Sequence, residues 1–205
     1  MTTEPMGLRE RKKHEVRARI ADAALELFAA KGFDQTTVAE VAAAADVSVK
    51  TVFNYFPAKE DLFFDRAEEV EQRWLDAVAD RAPGEPVLAG LRRRSLSRFD
   101  QQSDGATSRF RRVMAGSAVL QGRGQQMWAA HEDAIASALA QAMDTPADDP
   151  TPQVLASQAL GIHPLALRMA ERWSEGGLPA EEVRGRVLDM INRWYDVLEQ
   201  GIERR

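Results

Sequence analysis

The chain has 205 residues, a net charge of −5 and 44% hydrophobic residues, enough to bury a core for a small domain plus a larger one, or for one continuous body. It has no cysteine, which excludes disulfides and thiolate metal sites. No apolar run reaches the roughly eighteen residues of a membrane span, and residues 1–19 are too polar for a secretory signal, so a cytoplasmic protein without a membrane partner is expected.

The first element is a helix. Val16, Ile20, Ala23, Ala24, Leu27 and Phe28 fall on one stripe at helical spacing, and Gly32 is placed to end it. Ahead of this stripe, residues 9–19 hold six cations (Arg9, Arg11, Lys12, Lys13, Arg17, Arg19) against Glu10 and Glu15. A local charge of +4 on an acidic chain orients that end toward phosphate, because local charge and not the total sets such encounters. Residues 9–13 are read as an arm leading into the helix, with a solvated charge run as the plainer alternative.

Residues 36–59 carry the most specific pattern. Thr37 and Glu40 have the spacing of a capping box. Val38, Val41 and Ala42 give a short helix its apolar face, Asp46-Val47 makes a turn, and Ser48 caps a second short helix over residues 49–56. Pro57 stops that helix. This is a helix-turn-helix, whose second helix enters the major groove. Lys50, Thr51, Asn54 and Tyr55 are expected on its exposed face, with Lys59 just beyond and the capping residues Thr37 and Ser48 beside the backbone. A lysine neutralises phosphate, hydroxyls position the backbone, asparagine reads an adenine edge and an aromatic touches a thymine methyl. Val52, Phe53 and Phe56 are expected to face inward or to lie flat against the neighbouring helices; for Tyr55 a core role is the alternative.

The residues Gly32-Phe33, Thr36-Thr37-Val38, Val41-Ala42, Ala45, Val47-Ser48, Thr51-Val52-Phe53, Tyr55-Phe56 and Lys59-Glu60-Asp61-Leu62 resemble the DNA-binding domain of the TetR family of bacterial transcriptional regulators. The resemblance spans residues 13–65, about a quarter of the chain. It departs at Asp46, where the family commonly has glycine; aspartate tolerates left-handed dihedrals better than most residues. The expected fold is all-α, with a helix-turn-helix domain over residues 9–58, a connecting helix over 59–80 and a larger effector-binding and dimerisation domain over 81–205.

Two prolines in residues 81–86 mark the boundary. Helices are then expected over 87–102 and 107–121, a break or a kink at Gly122-Arg-Gly124, and helices over 125–143, 153–175 with Pro164 inside, and 181–202. Residues 144–152 read as an exposed loop and Arg92-Arg93-Arg94 as a solvated face.

The resemblance implies that the last two helices pair with those of a second copy. Leu155, Leu160, Leu167, Val187, Ile191, Trp194 and Leu198 are candidates for interface or core. It also implies a small-molecule effector held inside the helical body, for which Trp74, Phe99, Phe110, Met114, Trp128, His131, Arg168 and Trp173 are candidates. For each aromatic and for Met114, plain core packing is the competing reading. A repressor released from a palindromic double-stranded operator is expected; activation, or an architectural role without effector, is the alternative.

An enzyme is not expected. There is no glycine-rich phosphate loop, no serine nucleophile elbow and no metal-ligand spacing among His14, His131 and His163. No cofactor is implied.

Overall fold

The computed structural model describes residues 7–82, 84–101 and 105–203. The described residues form α1 (Leu8–Lys31), α2 (Val38–Ala44), α3 (Val49–Tyr55), α4 (Lys59–Phe63), α5 (Ala67–Ala79), α6 (Ala89–Gln101), α7 (Gly105–Ala115), α8 (Ala118–Met143), α9 (Thr151–Glu175) and α10 (Ala180–Glu203), with no strand among them. The fold is all-α, as expected. None of these helices is long and apolar enough to cross a membrane.

Two compact units result. Unit 1 comprises Met1–Ala67 and Gly105–Gln125; unit 2 comprises Glu68–Asp104 and Gln126–Arg205. The units therefore do not divide at residue 81.

In unit 1, Ile20, Phe28, Phe33, Val41, Val52 and Phe56 are buried together, and Val16, Leu27, Val38 and Val47 pack partly buried around them. Burying one such side chain stabilises by about 1.5–3 kcal/mol. The core is larger than three helices. Leu62 and Phe63 of α4, Val113 of α7 and Leu120 of α8 complete it. Phe63 stacks on Phe110 with ring centroids 4.3 Å apart.

Several boundaries differ from expectation. The basic residues 9–13 are not an arm: α1 begins at Leu8, so they lie in its first turns. The connecting helix over 59–80 is two helices. After α4 the chain turns at Phe64, and the next residue, Asp65, accepts from Arg17 Nε at 2.7 Å. The break expected at Gly122-Arg-Gly124 lies instead at Gly116-Ser117. Gly116 N–H closes α7 onto Arg112 O, and Ser117 Oγ accepts from Leu120 N–H at the start of α8. α8 then runs through both glycines.

In unit 2, Trp74, Leu88, Leu91, Ile135, Leu139, Leu155, Leu160, Val187, Ile191 and Tyr195 form the core. α9 and α10 are joined by four residues around Gly177, whose φ of 83° suits glycine. α6 packs on this pair. Tyr195, fully buried, shares a 2.8 Å hydrogen bond with Ser95, and burial pushes its phenol pKa up against the opposing effect of that bond. Arg92 bridges α6 to Asp196 and Glu199 of α10, both at 2.7 Å. At Gly90, a Cβ would stand 1.6 Å from Ala77 O, so α5 and α6 touch backbone to backbone.

Candidate nucleic-acid interface

Local chemistry builds α2 and α3 as the sequence predicts. Thr37 Oγ1 accepts from Glu40 N–H at 3.3 Å, and Glu40 Oε2 accepts from Thr37 N–H at 2.8 Å, which closes the capping box. Lys31 Nζ donates to the other oxygen of Glu40. Lys31, then the Thr37 amide and hydroxyl, hold the Glu40 carboxyl down at about 2. Asp46 sits at φ 52°, the left-handed turn that its position requires. Ser48 Oγ accepts from Thr51 N–H at 3.0 Å and caps α3.

The face that α3 presents differs from the expected one. Val52 and Phe56 point inward, four residues apart. A helix advances about 100° per residue, so Lys50 and Asn54 lie opposite them and Phe53 on one flank, while Val49 stands in the first turn on their own side. All four are exposed, Phe53 at 48%. Thr51 and Tyr55 are half-buried at the rim, and Thr51 Oγ1 shares a 2.8 Å hydrogen bond with Ser48 Oγ. Phe53 therefore does not face inward. Phe53 and Tyr55 lie at equal angles on the two flanks of the Val52–Phe56 stripe, and neighbouring helices cover only the Tyr55 side, so the apolarity of Phe53 is no guide to its burial.

Lys59 is engaged elsewhere. Its Nζ donates to Phe33 O and Thr36 O, each at 3.0 Å, and lies 4.1 Å from the Phe33 ring centroid. It ties α4 to the turn after α1. Arg17 acts similarly at the far end of α3: it donates to Tyr55 O at 3.1 Å, rests over Phe56 and pairs with Asp65. Nothing local in the sequence marks that contact across 48 positions. Arg9, Arg11, Lys12, Lys13 and Arg19 are exposed along α1. The surface thus offers cations, one amide and two apolar side chains.

The eight effector candidates do not converge. Phe110 and Met114 belong to unit 1, where both pack among its aromatics. Arg168 is exposed on α9. Trp173 lies under Arg186 and lines an open groove of about 560 Å³ with Asp189, Met190, Arg193, Trp194 and Val197. Trp74, Phe99, Trp128 and His131 pack in or against the unit 2 core. His131 Nε2 lies 3.1 Å from Glu71 Oε2, and its ring meets Trp128 edge-on at 5.7 Å. Burial lowers the His131 pKa, and Glu71 opposes that shift. Among the interface candidates, Leu155, Leu160, Val187 and Ile191 are internal, Leu167 and Leu198 are half-buried, and Trp194 is 38% exposed.

Arg92-Arg93-Arg94 is not a uniform solvated face. Arg92 holds α10 and Arg93 pairs with Glu85 at 2.9 Å. Arg94 is half-buried with its Cζ 5.8 Å from the Trp74 ring centroid. Its Nε, Trp74 Nε1 and His131 Nδ1 are buried without hydrogen-bond partners. A buried polar group left unmet costs about 1–3 kcal/mol, more when charged. Burial, then the nearby Arg73, lowers the Arg94 pKa. Among the described residues no three acidic or histidine side chains group to hold a metal ion.

Residues 20–65 match the model of the bacterial regulatory proteins of the tetR family, and residues 85–203 match the MftR C-terminal domain. MftR of Mycobacterium tuberculosis, named for transcriptional regulation of mycofactocin biosynthesis, is 29% identical over 186 residues, 88% of this chain and 91% of that protein. TcmR of Streptomyces glaucescens, an HTH-type transcriptional regulator, is 35% identical over 85 residues, 42% of this chain and 38% of that protein. The crystal structure of native NalD from Pseudomonas aeruginosa shares the fold, with a TM-score of 0.58 at 20% identity over 88% of this chain and 97% of that one.

Proposed function

This chain belongs to the TetR family of bacterial regulatory proteins, and on that premise we propose that it works as a cytoplasmic homodimer that a small-molecule effector releases from a twofold-symmetric operator. It is a DNA-binding transcriptional regulator and not an enzyme.

The exposed face of α3 carries the proposal. Lys50 is suited to a phosphate, Asn54 to the N6 and N7 edge of adenine, and Phe53 and Val49 to thymine methyls. Thr37, Ser48, Thr51 and Tyr55 flank that face and supply hydroxyls toward the backbone, while Lys59 acts by holding α4 in place. The cations along α1 add sequence-independent attraction. A second copy supports symmetric readout: Trp194 and Val197, 38% and 53% exposed on α10, beside the open groove give an apolar surface that pairing would cover. Repression fits a dimer that covers its operator and bars the polymerase. An effector acts only through tighter binding to the released form than to the DNA-bound one.

Selection of bound sequences from random double-stranded DNA at fixed salt tests this reading. A motif with twofold symmetry is the expected result. Binding without a motif would leave α3 as a scaffold element, and a target gene whose expression falls when the regulator is deleted would replace repression by activation.

A further inference from the structure

Among the described residues of unit 2, Trp74 Nε1, Arg94 Nε and His131 Nδ1 are buried without hydrogen-bond partners, as is Nε of Arg92, whose terminal nitrogen does find carboxylates. Trp74 is 1% exposed, and its indole Nε1 has no acceptor. Arg94 Nε is likewise unmet, with the guanidinium 5.8 Å from the Trp74 ring centroid. His131 Nδ1 is the third, and its Nε2 contacts Glu71, one helical turn from Trp74 on α5. Folded proteins leave few such groups unmet, so a cluster of them asks for a cause. The two neighbours of Arg94 in sequence both find carboxylates, Arg92 on α10 and Arg93 at Glu85, whereas the charged group facing Arg94 is Arg73. The backbone contact of Gly90 with Ala77 lies one turn from both Arg94 and Trp74, so the close α5–α6 crossing brings the guanidinium over the indole.

The chemistry of the cluster selects a ligand class. Arg94 and Trp74 offer N–H donors only, one of them cationic. The two oxygens of a carboxylate accept from both and neutralise the charge; a neutral ligand leaves the guanidinium uncompensated. A proton on His131 Nε2 shared with Glu71 leaves Nδ1 as an acceptor in the neutral ring, so His131 takes no part in holding the carboxylate; with Trp128 edge-on to it, it belongs to the surrounding wall. We propose that unit 2 binds an organic monocarboxylate with an apolar body, its carboxylate held by Arg94 and the indole N–H of Trp74, and that this acid is the effector. The effector part rests on the regulator reading above.

The test uses the full chain with benzoate, phenylacetate, hexanoate and decanoate, each beside its primary amide, followed by thermal unfolding and calorimetric titration. The expected result is that at least one acid raises Tm and its amide does not. Arg94→Gln weakens that acid by about tenfold or more, Trp74→Phe weakens it by less, and Arg93→Gln leaves it unchanged. Unliganded Arg94→Gln unfolds at a higher temperature than the parent, since an unpaired half-buried charge is gone, which also shows that the variant folds. Equal binding of acid and amide, undiminished binding by Arg94→Gln, or no Tm rise with any of the acids overturns the proposal. Operator binding is read on the same samples. An operator-bound protein indifferent to every acid sinks the carboxylate site alone. Acid binding that leaves operator affinity unchanged keeps the site and removes its role as effector site. Absence of any specific operator sinks the regulator reading and leaves the acid titration standing.

Discussion

Replacing Gly90 with alanine sets two effects of opposite sign against each other. Gly90 lies in the second position of α6, and in a helix alanine is favoured over glycine by about 1 kcal/mol. The added Cβ, however, would stand 1.6 Å from Ala77 O and 2.8 Å from Ala77 C. Both atoms are backbone, so no side chain can swing away, and relief to an ordinary 3.4 Å contact needs the two helices to part by nearly 2 Å. Overpacking of this kind costs typically 1–3 kcal/mol, and a rigid backbone partner puts it at the top of that range. The same parting lifts α6 from Trp74 and Val78, which lie in the core. The clash wins, and a net loss of about 2 kcal/mol is expected, or roughly 4–8 °C in Tm for a chain of this size. Urea unfolding followed by circular dichroism measures it. A variant as stable as the parent, or more so, would refute the close crossing of α5 and α6.

Other outcomes follow from the same geometry. Phe53→Ala should weaken the selected operator by about 1 kcal/mol and Asn54→Ala by about 1–3 kcal/mol at fixed salt, with unfolding midpoints nearly unchanged because both side chains are exposed; an unaltered operator affinity would remove either residue from the readout. Lys59→Met should cost about 2 kcal/mol of stability by removing its two carbonyl contacts, while the salt slope of DNA binding stays put; a slope smaller by about one would make it a phosphate contact instead. Glu40 adds a pH dependence. Its folded carboxyl is lowered from 4.5 to about 2, so its contribution is complete above pH 4.5 and is lost as pH falls toward 2. Acid unfolding of Glu40→Gln should be flatter than that of the parent in this window, and identical slopes would count against the Lys31–Glu40–Thr37 arrangement.

What was legible in the sequence was local. Thr37 with Glu40, Ser48 with Thr51, Asp46 in the turn and Gly32 at the end of α1 each act within four residues, so spacing alone carries them. Misreadings came where two local signals compete. Gly122 and Gly124 suggested a break, but helices tolerate glycine at about 1 kcal/mol each, and the cap supplied by Ser117 decided the boundary. Lys50 and Asn54 are legible as exposed, whereas Phe53 lies on the flank of the inward stripe, where neither its apolarity nor its angle decides its burial. The effector candidates were scattered because aromatic content does not reveal which unit a residue joins. Arg94 reads in the sequence as one of three arginines on a solvated face, and what sets it apart emerges only when the partners of Arg92 and Arg93 are seen across space.

The interrupted make-up of unit 1 bears on any attempt to transplant it. Its interior needs Val113 and Leu120 from a stretch that begins 38 positions after Ala67, and Ser117 Oγ donates to Asp34 at 2.8 Å. A hybrid regulator that borrows only residues 1–67 would inherit a reading head stripped of part of its floor, with the face of Phe63 that stacks on Phe110 uncovered. Specificity exchange between relatives therefore calls for two grafts made together, the second spanning Gly105–Gln125, or for swaps confined to the outward residues of α3.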